Sequence, residues 1–373
     1  MPENSFKGKI FKEAAILGTG LMGASMGVAL RERALVDKVS GYDRDQKAAI
    51  TAFERGAIDE YFNSPQEAVK DADLVIIALP VRCCADIVAE ISPHLKPGAV
   101  ITDLGSTKSC LLNDCSLLFP EAVTYIGGHP MTGSEESGAA ASDPAIWENA
   151  IYVLTPTDKV DTKKTEQLKS LVEAIGAQPL IMNPEEHDNI VALVSHLPHI
   201  VAVALVNTAA GSDKDEMIKT LAAGGFRDTT RVAMGSPVMW NDICATNQKA
   251  IISYINQYIE ELKSLRELIE DGQEQQLLNS LSSAKEYRKK IPYRSRGILP
   301  DLFDLIVLVK DTPGIIGKIA GTLGEAGINI AEIEILHVRE EEGGSIRIGF
   351  RSVEQRDKAL ETLQQNNYTA HRR

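Results

Sequence analysis

The stretch Ala14-Ala15-Ile16-Leu17-Gly18-Thr19-Gly20-Leu21-Met22-Gly23 decides the first half of the fold. A short apolar run, long enough for one strand, leads into a G-x-G-x-x-G turn. Helical sequence follows from Leu21 to about Arg33. The next apolar run ends in Asp43, twenty residues after Gly23. A glycine-rich turn alone says little. Strand, turn, helix and distal carboxylate in this order are the fingerprint of a dinucleotide site. Gly18 permits the tight turn, Gly20 lets the backbone approach a pyrophosphate, and Gly23 lets helix and strand pack closely. Leu21 and Met22 open the helix, whose free N–H groups attract phosphate. Asp43 is expected to hold the adenosine ribose and to repel a 2′-phosphate, which favours NAD over NADP. Arg44 is the neighbour that would reverse this preference by holding such a phosphate.

Outward from this motif, apolar runs at 39–42, 74–79, 99–104 and 151–154 alternate with helical stretches. The alternation predicts a mainly parallel sheet with helices on both faces, a Rossmann-type α/β domain over residues 1–182. From 184 to about 290 strand alternation stops, and apolar residues recur at helical spacing, as in 247–268. Residues 183–297 therefore read as an all-α domain and linker whose bare apolar faces call for a second copy, a homodimer. The six basic residues between Lys285 and Arg296, with Pro292 and Gly297 nearby, read as exposed linker rather than as a ligand patch. Residues 298–373 start afresh. A strand at 302–309, a Pro313-Gly314 turn, a helix, strands at 329–338 and 345–350 and a last helix from about Val353 give the order of a ferredoxin-like βαββαβ domain.

A chain of 373 residues suggests two or three domains at about 150 residues each. The net charge of −13 argues against nucleic acid or an anionic membrane as partner. An anionic substrate must then be held by local Arg, Lys or His. The five cysteines lack paired spacing, and Cys83 and Cys84 are adjacent, which fits a reduced, cytoplasmic setting. The segment 14–30 has the apolar character of a signal-peptide core, but it is dense in Gly and contains the nucleotide motif. The segment 190–206 is apolar yet carries Ser195, His196, Pro198 and His199. It is shorter than the roughly 20 residues of a membrane span and reads as a buried helix lining a site.

Open parallel sheets bind ligands beyond the carboxyl ends of their strands. Past those ends lie Gly105-Ser106-Thr107-Lys108, Gly127-Gly128-His129-Pro130 and Gly133-Ser134-Glu135. A lone rim histidine is often structural; one that shares a dinucleotide rim with Ser106 is more often functional. The helical region adds His196 and His199, three residues apart on one helix face. Zinc would need further ligands that the segment does not supply, so no metal is expected. Two core histidines are the plain alternative, above all for His199. Arg227 and Arg231 offer a carboxylate fork, against the plain reading of an ion pair with Asp228.

With these residues in view, the chain resembles the prephenate dehydrogenase family in the form with a C-terminal ACT domain. The resemblance rests on Gly18 to Gly23, Asp103 to Lys108, Gly128-His129-Pro130, Gly133-Ser134-Glu135, Ser195 to His199, Arg231 and Trp240. It implies oxidative decarboxylation of prephenate to 4-hydroxyphenylpyruvate with NAD⁺, on the route to tyrosine. It also implies a dimer interlocked through the helical region. The residues suit that chemistry. The ring hydroxyl loses a proton as its carbon gives up a hydride, and loss of CO₂ leaves an aromatic ring. A neutral His is the natural base near pH 7, and His129 is assigned. Ser106 would hold the hydroxyl and border the nicotinamide. His196 would position the substrate, and Arg231 would clamp a carboxylate. Ser134 and Glu135 would orient the substrate or gate the pocket, and Lys108 reads as a cap on the strand end.

Three rivals are weighed. An arogenate or cyclohexadienyl dehydrogenase differs only in the substrate side chain, which the sequence leaves open. A β-hydroxyacid dehydrogenase often places a Lys on the first long helix of its substrate domain, and no Lys occurs from 183 to 213. A non-catalytic amino-acid sensor would have no use for Ser106, His129, His196 and Arg231 together. In the last domain, Thr312 is expected to cap a helix with Pro313 in its first turn. Gly314 and Asn329 are the expected contacts for an amino-acid effector, L-tyrosine, held between two copies of the domain. The plain alternative is a domain that only dimerises.

Overall fold

The computed structural model describes residues 8–115, 117–133, 136–212, 214–291, 302–310, 312–336 and 344–372. The chain divides into two compact units, residues 1–297 and 298–373. The first unit is built on β1 (Glu13–Leu17), β2 (Lys38–Tyr42), β3 (Glu60–Tyr61), β4 (Leu74–Ile77), β5 (Val100–Asp103) and β6 (Thr124–Tyr125). They form one parallel sheet in the order β3-β2-β1-β4-β5-β6. Helix α1 (Leu21–Glu32) leaves β1 at the point where the strand order reverses, the usual ligand crevice of an open α/β sheet. The central strands β1 and β4 are almost wholly apolar because both faces are covered. Ile16 and Ile76 enter one core cluster, whereas Leu17, Val75 and Ile77 enter the other.

The run at 151–154 does not join this sheet, contrary to expectation. Strands β7 (Gly127–Pro130), β8 (Ile151–Thr155) and β9 (Gln178–Ile181) form a second, three-stranded sheet, with β7 antiparallel to β8. After β6 the chain crosses over the carboxyl end of β5. Gly128 lies so close to β5 there that a Cβ would collide with the Asp103 carbonyl. This crossing brings His129 to the rim.

The rest of the first unit is helical, as predicted. Pro184–Val191, a π-helical turn Ala192–His196 and Leu197–Ala210 run on as one continuous helix. It is long and apolar enough to cross a membrane, but His187, Asp188, His196 and His199 on it are all buried. Its apolar side chains Ile190, Leu193, Val194 and Leu205 are exposed, so the expected fully buried helix is covered on one side only. Residues 285–290 are not linker. They end the helix Glu274–Lys290, where Arg288, Lys289 and Lys290 oppose the negative end of the helix dipole. Residues 292–300 lie outside the described residues.

The second unit has the expected βαββαβ order. Strands β10 (Phe303–Val309), β11 (Glu332–Leu336), β12 (Gly344–Phe350) and β13 (Thr369–Arg372) form an antiparallel sheet in the order β11-β12-β10-β13. Helices Ile315–Glu325 and Val353–Gln365 cover one face over Leu305, Val307, Ile346, Ile348 and Phe350, and the first packs Ile319 and Leu323 against them. The first of these helices starts later than expected. Gly314, in the left-handed region at φ 84°, is its N-cap. That backbone reversal keeps Thr312 from capping and leaves Pro313 in the preceding turn rather than in the helix.

The feature that sets the rim is a buried ion pair. Asp103 at the end of β5 pairs with Lys108, and neither side chain reaches solvent. Removing one member strands the other charge in the interior. Lys108→Met is expected to lower the stability of this unit by about 3–5 kcal/mol. Urea unfolding followed by tryptophan fluorescence checks this, because both tryptophans, Trp147 and Trp240, belong to the unit. A loss below about 1 kcal/mol would show the pair to be dispensable.

Candidate active site

At the glycine turn, Gly18 adopts φ 95°, a conformation costly for other residues, and its N–H donates to the Tyr42 carbonyl at 2.8 Å. Helix α1 starts at Gly20 with no side-chain cap, and a Cβ on Gly20 would meet nothing within 4 Å. The first-turn amides, those of Leu21 and Met22 included, are the donors that such a helix start offers a pyrophosphate. Asp43 lies at the end of β2. Its Oδ2 accepts the Thr19 N–H at 2.8 Å and its Oδ1 accepts the Asp45 N–H at 2.9 Å. The carboxylate therefore braces the glycine turn while facing the crevice where a ribose would lie.

Across the rim, the loop after β5 is pinned at both ends. Asp103 accepts the Gly105 N–H at 2.9 Å, the Gly128 N–H at 3.1 Å and the Tyr125 hydroxyl at 2.8 Å, besides its contact with Lys108. Lys108 also donates to the Gly128 carbonyl at 2.6 Å. Thr107 meets Thr246 of the helical region at 2.8 Å. Ser106 sits between these anchors, half-buried. His129 lies within β7, paired with Val153 of β8.

His129 does not stand alone. Its Nδ1 lies 2.7 Å from Nε2 of His187, and His187 Nδ1 lies 2.8 Å from Oδ1 of Asp188. Asp188 also accepts the N–H groups of Lys108 and Ser109, each at 2.8 Å. Asn247 donates to the Asp188 carbonyl at 2.7 Å and lies 3.3 Å from His196 Nδ1. The structure thus joins His129 and His196 through three residues that sequence reasoning missed: His187, Asp188 and Asn247. In the sequence the first two belong to Pro184-Glu185-Glu186-His187-Asp188, which reads as an exposed first turn. The π-helical turn is what unites them with His196. Nine residues make about two and a half turns of an ideal α-helix, which would set His187 and His196 on opposite faces. The wider π turn at Ala192–His196 takes up part of that rotation.

Burial dominates the charge state of these rings. It lowers the pKa of His129 well below the ordinary value, helped by nearby His187, Lys108 and His196. It lowers His196 to about 4, partly opposed by Asp188. His199 is also lowered by burial, and its ring stacks flat on Trp240 at 3.6 Å between centroids. His196 meets the same indole edge-on at 5.9 Å. His199 thus holds Trp240, and Trp240 walls the side of His196. Arg231 begins the exposed turn Arg231–Met234, which packs along Leu197–Ala210. Ser134 and Glu135 lie outside the described residues.

The assembled features are a dinucleotide crevice, a buried neutral imidazole at its rim, and a helical layer carrying more histidine and an arginine. Comparison with known proteins agrees with them. Residues 26–181 match the nucleotide-binding domain of prephenate dehydrogenase, residues 183–283 its dimerization domain, and residues 303–366 the ACT domain. The chain is 37% identical to the prephenate dehydrogenase of Bacillus subtilis (strain 168), over 94% of this chain and 95% of that protein.

The chain belongs to the prephenate dehydrogenase family. It is thereby an NAD-dependent oxidoreductase. Among solved structures, it is similar to the Aquifex aeolicus prephenate dehydrogenase in complex with hydroxyphenyl propionate and NAD⁺. The TM-score is 0.70 at 34% identity, over 75% of this chain and 98% of that one. Synechocystis arogenate dehydrogenase is similar with a TM-score of 0.67 and 31% identity, over 74% of this chain and 99% of that one.

The lowered histidines make a prediction for pH. An unfolded chain takes up protons on these rings near pH 6.5, whereas the folded one refuses them until His196 titrates near 4. Stability gained by folding with neutral rings is present above pH 6.5 and is lost progressively as the pH falls toward 4. Calorimetric Tm should therefore drop across that window, and replacing His196 with Gln should flatten the drop. An NMR titration midpoint for His196 at or above 6.5 would contradict the assignment.

Proposed function

We propose that the protein oxidises prephenate with NAD⁺, releasing CO₂ and 4-hydroxyphenylpyruvate. The observation that carries this reading is His129, a buried neutral imidazole on the rim of the dinucleotide crevice, in a strand whose Gly128 is tied through Asp103 and Lys108 to the loop that carries Ser106. Gly18, Gly20, Leu21, Met22, Gly23 and Asp43 would hold NAD, which would supply the hydride acceptor. The chain's own residues do the rest. Ser106 holds the ring hydroxyl, and Nε2 of His129 takes its proton as the carbon gives up hydride. The ring carboxylate leaves as CO₂, and the proton returns to the oxygen of the new phenol. Aromatisation drives the step, so the site has only to orient the substrate and manage one proton. His196 and the Trp240 wall position the ring. Arg231 supplies the local positive charge that a chain of net charge −13 needs for a dianion, and Ser134 and Glu135 complete the substrate contacts.

Purified protein should therefore reduce NAD⁺ in the presence of prephenate. His129→Asn should lower kcat about 10²–10⁴-fold with little change in KM. Faster turnover of arogenate than of prephenate would reassign the substrate. No turnover of either would overturn the reading.

We further propose the division 1–182, 183–297 and 298–373 into nucleotide, helical and regulatory domains, a homodimer formed through the helical domain, and a soluble, cytoplasmic enzyme. The exposed Met217, Leu221, Met234 and Val238 support such pairing, since this much apolar surface is unusual on a monomer. The last domain is proposed to bind L-tyrosine between two copies. Gly314 and Asn329 lie at opposite ends of Ile315–Glu325, an eleven-residue helix about 16 Å long. In this reading the amino acid is held where two domains pair, in contact with Gly314 and Asn329. Inhibition then requires different affinities for two states of the dimer. Calorimetry should show tyrosine bound by the full chain and weakened at least tenfold by Asn329→Ala. If a chain ending at residue 297 is inhibited equally, the effector acts at the catalytic site instead.

A further inference from the structure

We infer that His187 and Asp188 are positioning residues that fix the ring proton of His129 on Nδ1 and so keep its Nε2 lone pair for the substrate. This rests on His129 being the base proposed above.

The chain of reasoning starts at the carboxylate. A carboxylate can only accept hydrogen bonds. Burial alone would raise the pKa of Asp188, but the hydrogen bonds from His187 and from the Ser109 and Lys108 backbones outweigh that and leave it lowered. Asp188 is therefore ionised and makes Nδ1 of His187 the protonated nitrogen. In the proposed arrangement His187 carries that one ring proton and offers a lone pair at Nε2. That lone pair lies 2.7 Å from Nδ1 of His129, which must carry the hydrogen between them. The two rings meet edge-on, at 80° and 4.9 Å between centroids, the geometry of one in-plane hydrogen bond rather than a stack. Nε2 is the nitrogen of His129 that His187 does not engage.

The other groups around His129 do not disturb this state. Lys108 is paired with Asp103, and His196 is kept neutral by burial. His187 itself is fully buried and Asp188 nearly so, so water does not compete for their hydrogen bonds. The flipped arrangement would place N–H at Nε2 of His129, facing a hydroxyl that must give up its own proton. Such a ring is a donor where the reaction needs an acceptor. When the hydroxyl proton does reach Nε2, the positive charge on His129 is passed by hydrogen bond to His187 and answered by Asp188. A carboxylate orienting a base through its second nitrogen is a general device. Here one more imidazole stands between them.

The test uses the full-length chain. In the unmodified protein, ¹⁵N-histidine NMR should show His129 protonated at Nδ1 and bare at Nε2, its signals assigned by their loss in His129→Asn. His187→Leu removes the acceptor at equal bulk. It should lower kcat with prephenate about 10²–10³-fold while KM for prephenate and NAD⁺ stays within about twofold. His187→Gln can accept from His129 and donate to Asp188, so it should recover to within about tenfold of the parent. A packing role would leave Gln and Leu alike and would move Tm rather than kcat. A His129 protonated at Nε2 in the unmodified protein, or full kcat in His187→Leu, overturns the proposal. If the Leu variant does not fold, the NMR result on the unmodified protein decides. Failure of the chain to oxidise prephenate or arogenate overturns the function and not this tautomer, which is read without substrate.

Discussion

Asp103 ends a central strand with a carboxylate that no water reaches, and four donors converge on its two oxygens: Lys108, the Tyr125 hydroxyl and the backbone N–H groups of Gly105 and Gly128. A buried carboxylate tolerates nothing less, since each lost donor costs more there than at the surface. The donors come from three different segments. Satisfying one charge thus ties the tip of β5, the Ser106 loop and the start of β7 into one body. The spacing between Ser106 and His129 follows from it. Lys108, which the sequence suggested as a strand-end cap, is the member that makes the charge bearable.

The helical layer is attached to this body by polar contacts more than by apolar ones. Asp188 caps the helix Ser109–Cys115 by accepting the N–H groups at its start, Thr246 meets Thr107, and Arg82 lies 3.7 Å from Asp242. The apolar cluster in the helical layer is small, centred on Ala192, Ile243 and Ile251. Directional contacts of this kind fix an orientation but leave much apolar surface uncovered. They also put His187 against His129 on the Rossmann rim and link His196 to Asp188 through Asn247.

The second unit solves a similar problem differently. Arg347 on β12 is buried among Asp304, Glu332 and Glu334, which hold its guanidinium in its charged form. Residue alternation along β12 explains why both faces are occupied. Ile346, Ile348 and Phe350 point to the helices, and Arg347 between them takes the opposite face. The charge network stabilises the sheet face opposite the helices Ile315–Glu325 and Val353–Gln365.

Much of this was legible in the sequence. Gly18 to Gly23 with Asp43 specified the nucleotide half because each glycine answers a local steric demand, and local demands show in local sequence. The βαββαβ order of the last domain could be read for the same reason, from runs of period two and period 3.6. Contacts between segments distant in the chain could not be read. Nothing near 151 tells that this strand leaves the parallel sheet, and nothing near Gly314 tells that a left-handed residue delays the helix behind Pro313. His187 and Asp188 sit in a polar helix start that looks solvated until the Lys108 and Ser109 amides are docked against it. The sequence by itself determined the fold class and the chemical types at the rim. Only the tertiary structure decided which histidine leans on which. A ring's usable nitrogen depends on what its other nitrogen faces, and that partner lies 58 residues away for His129.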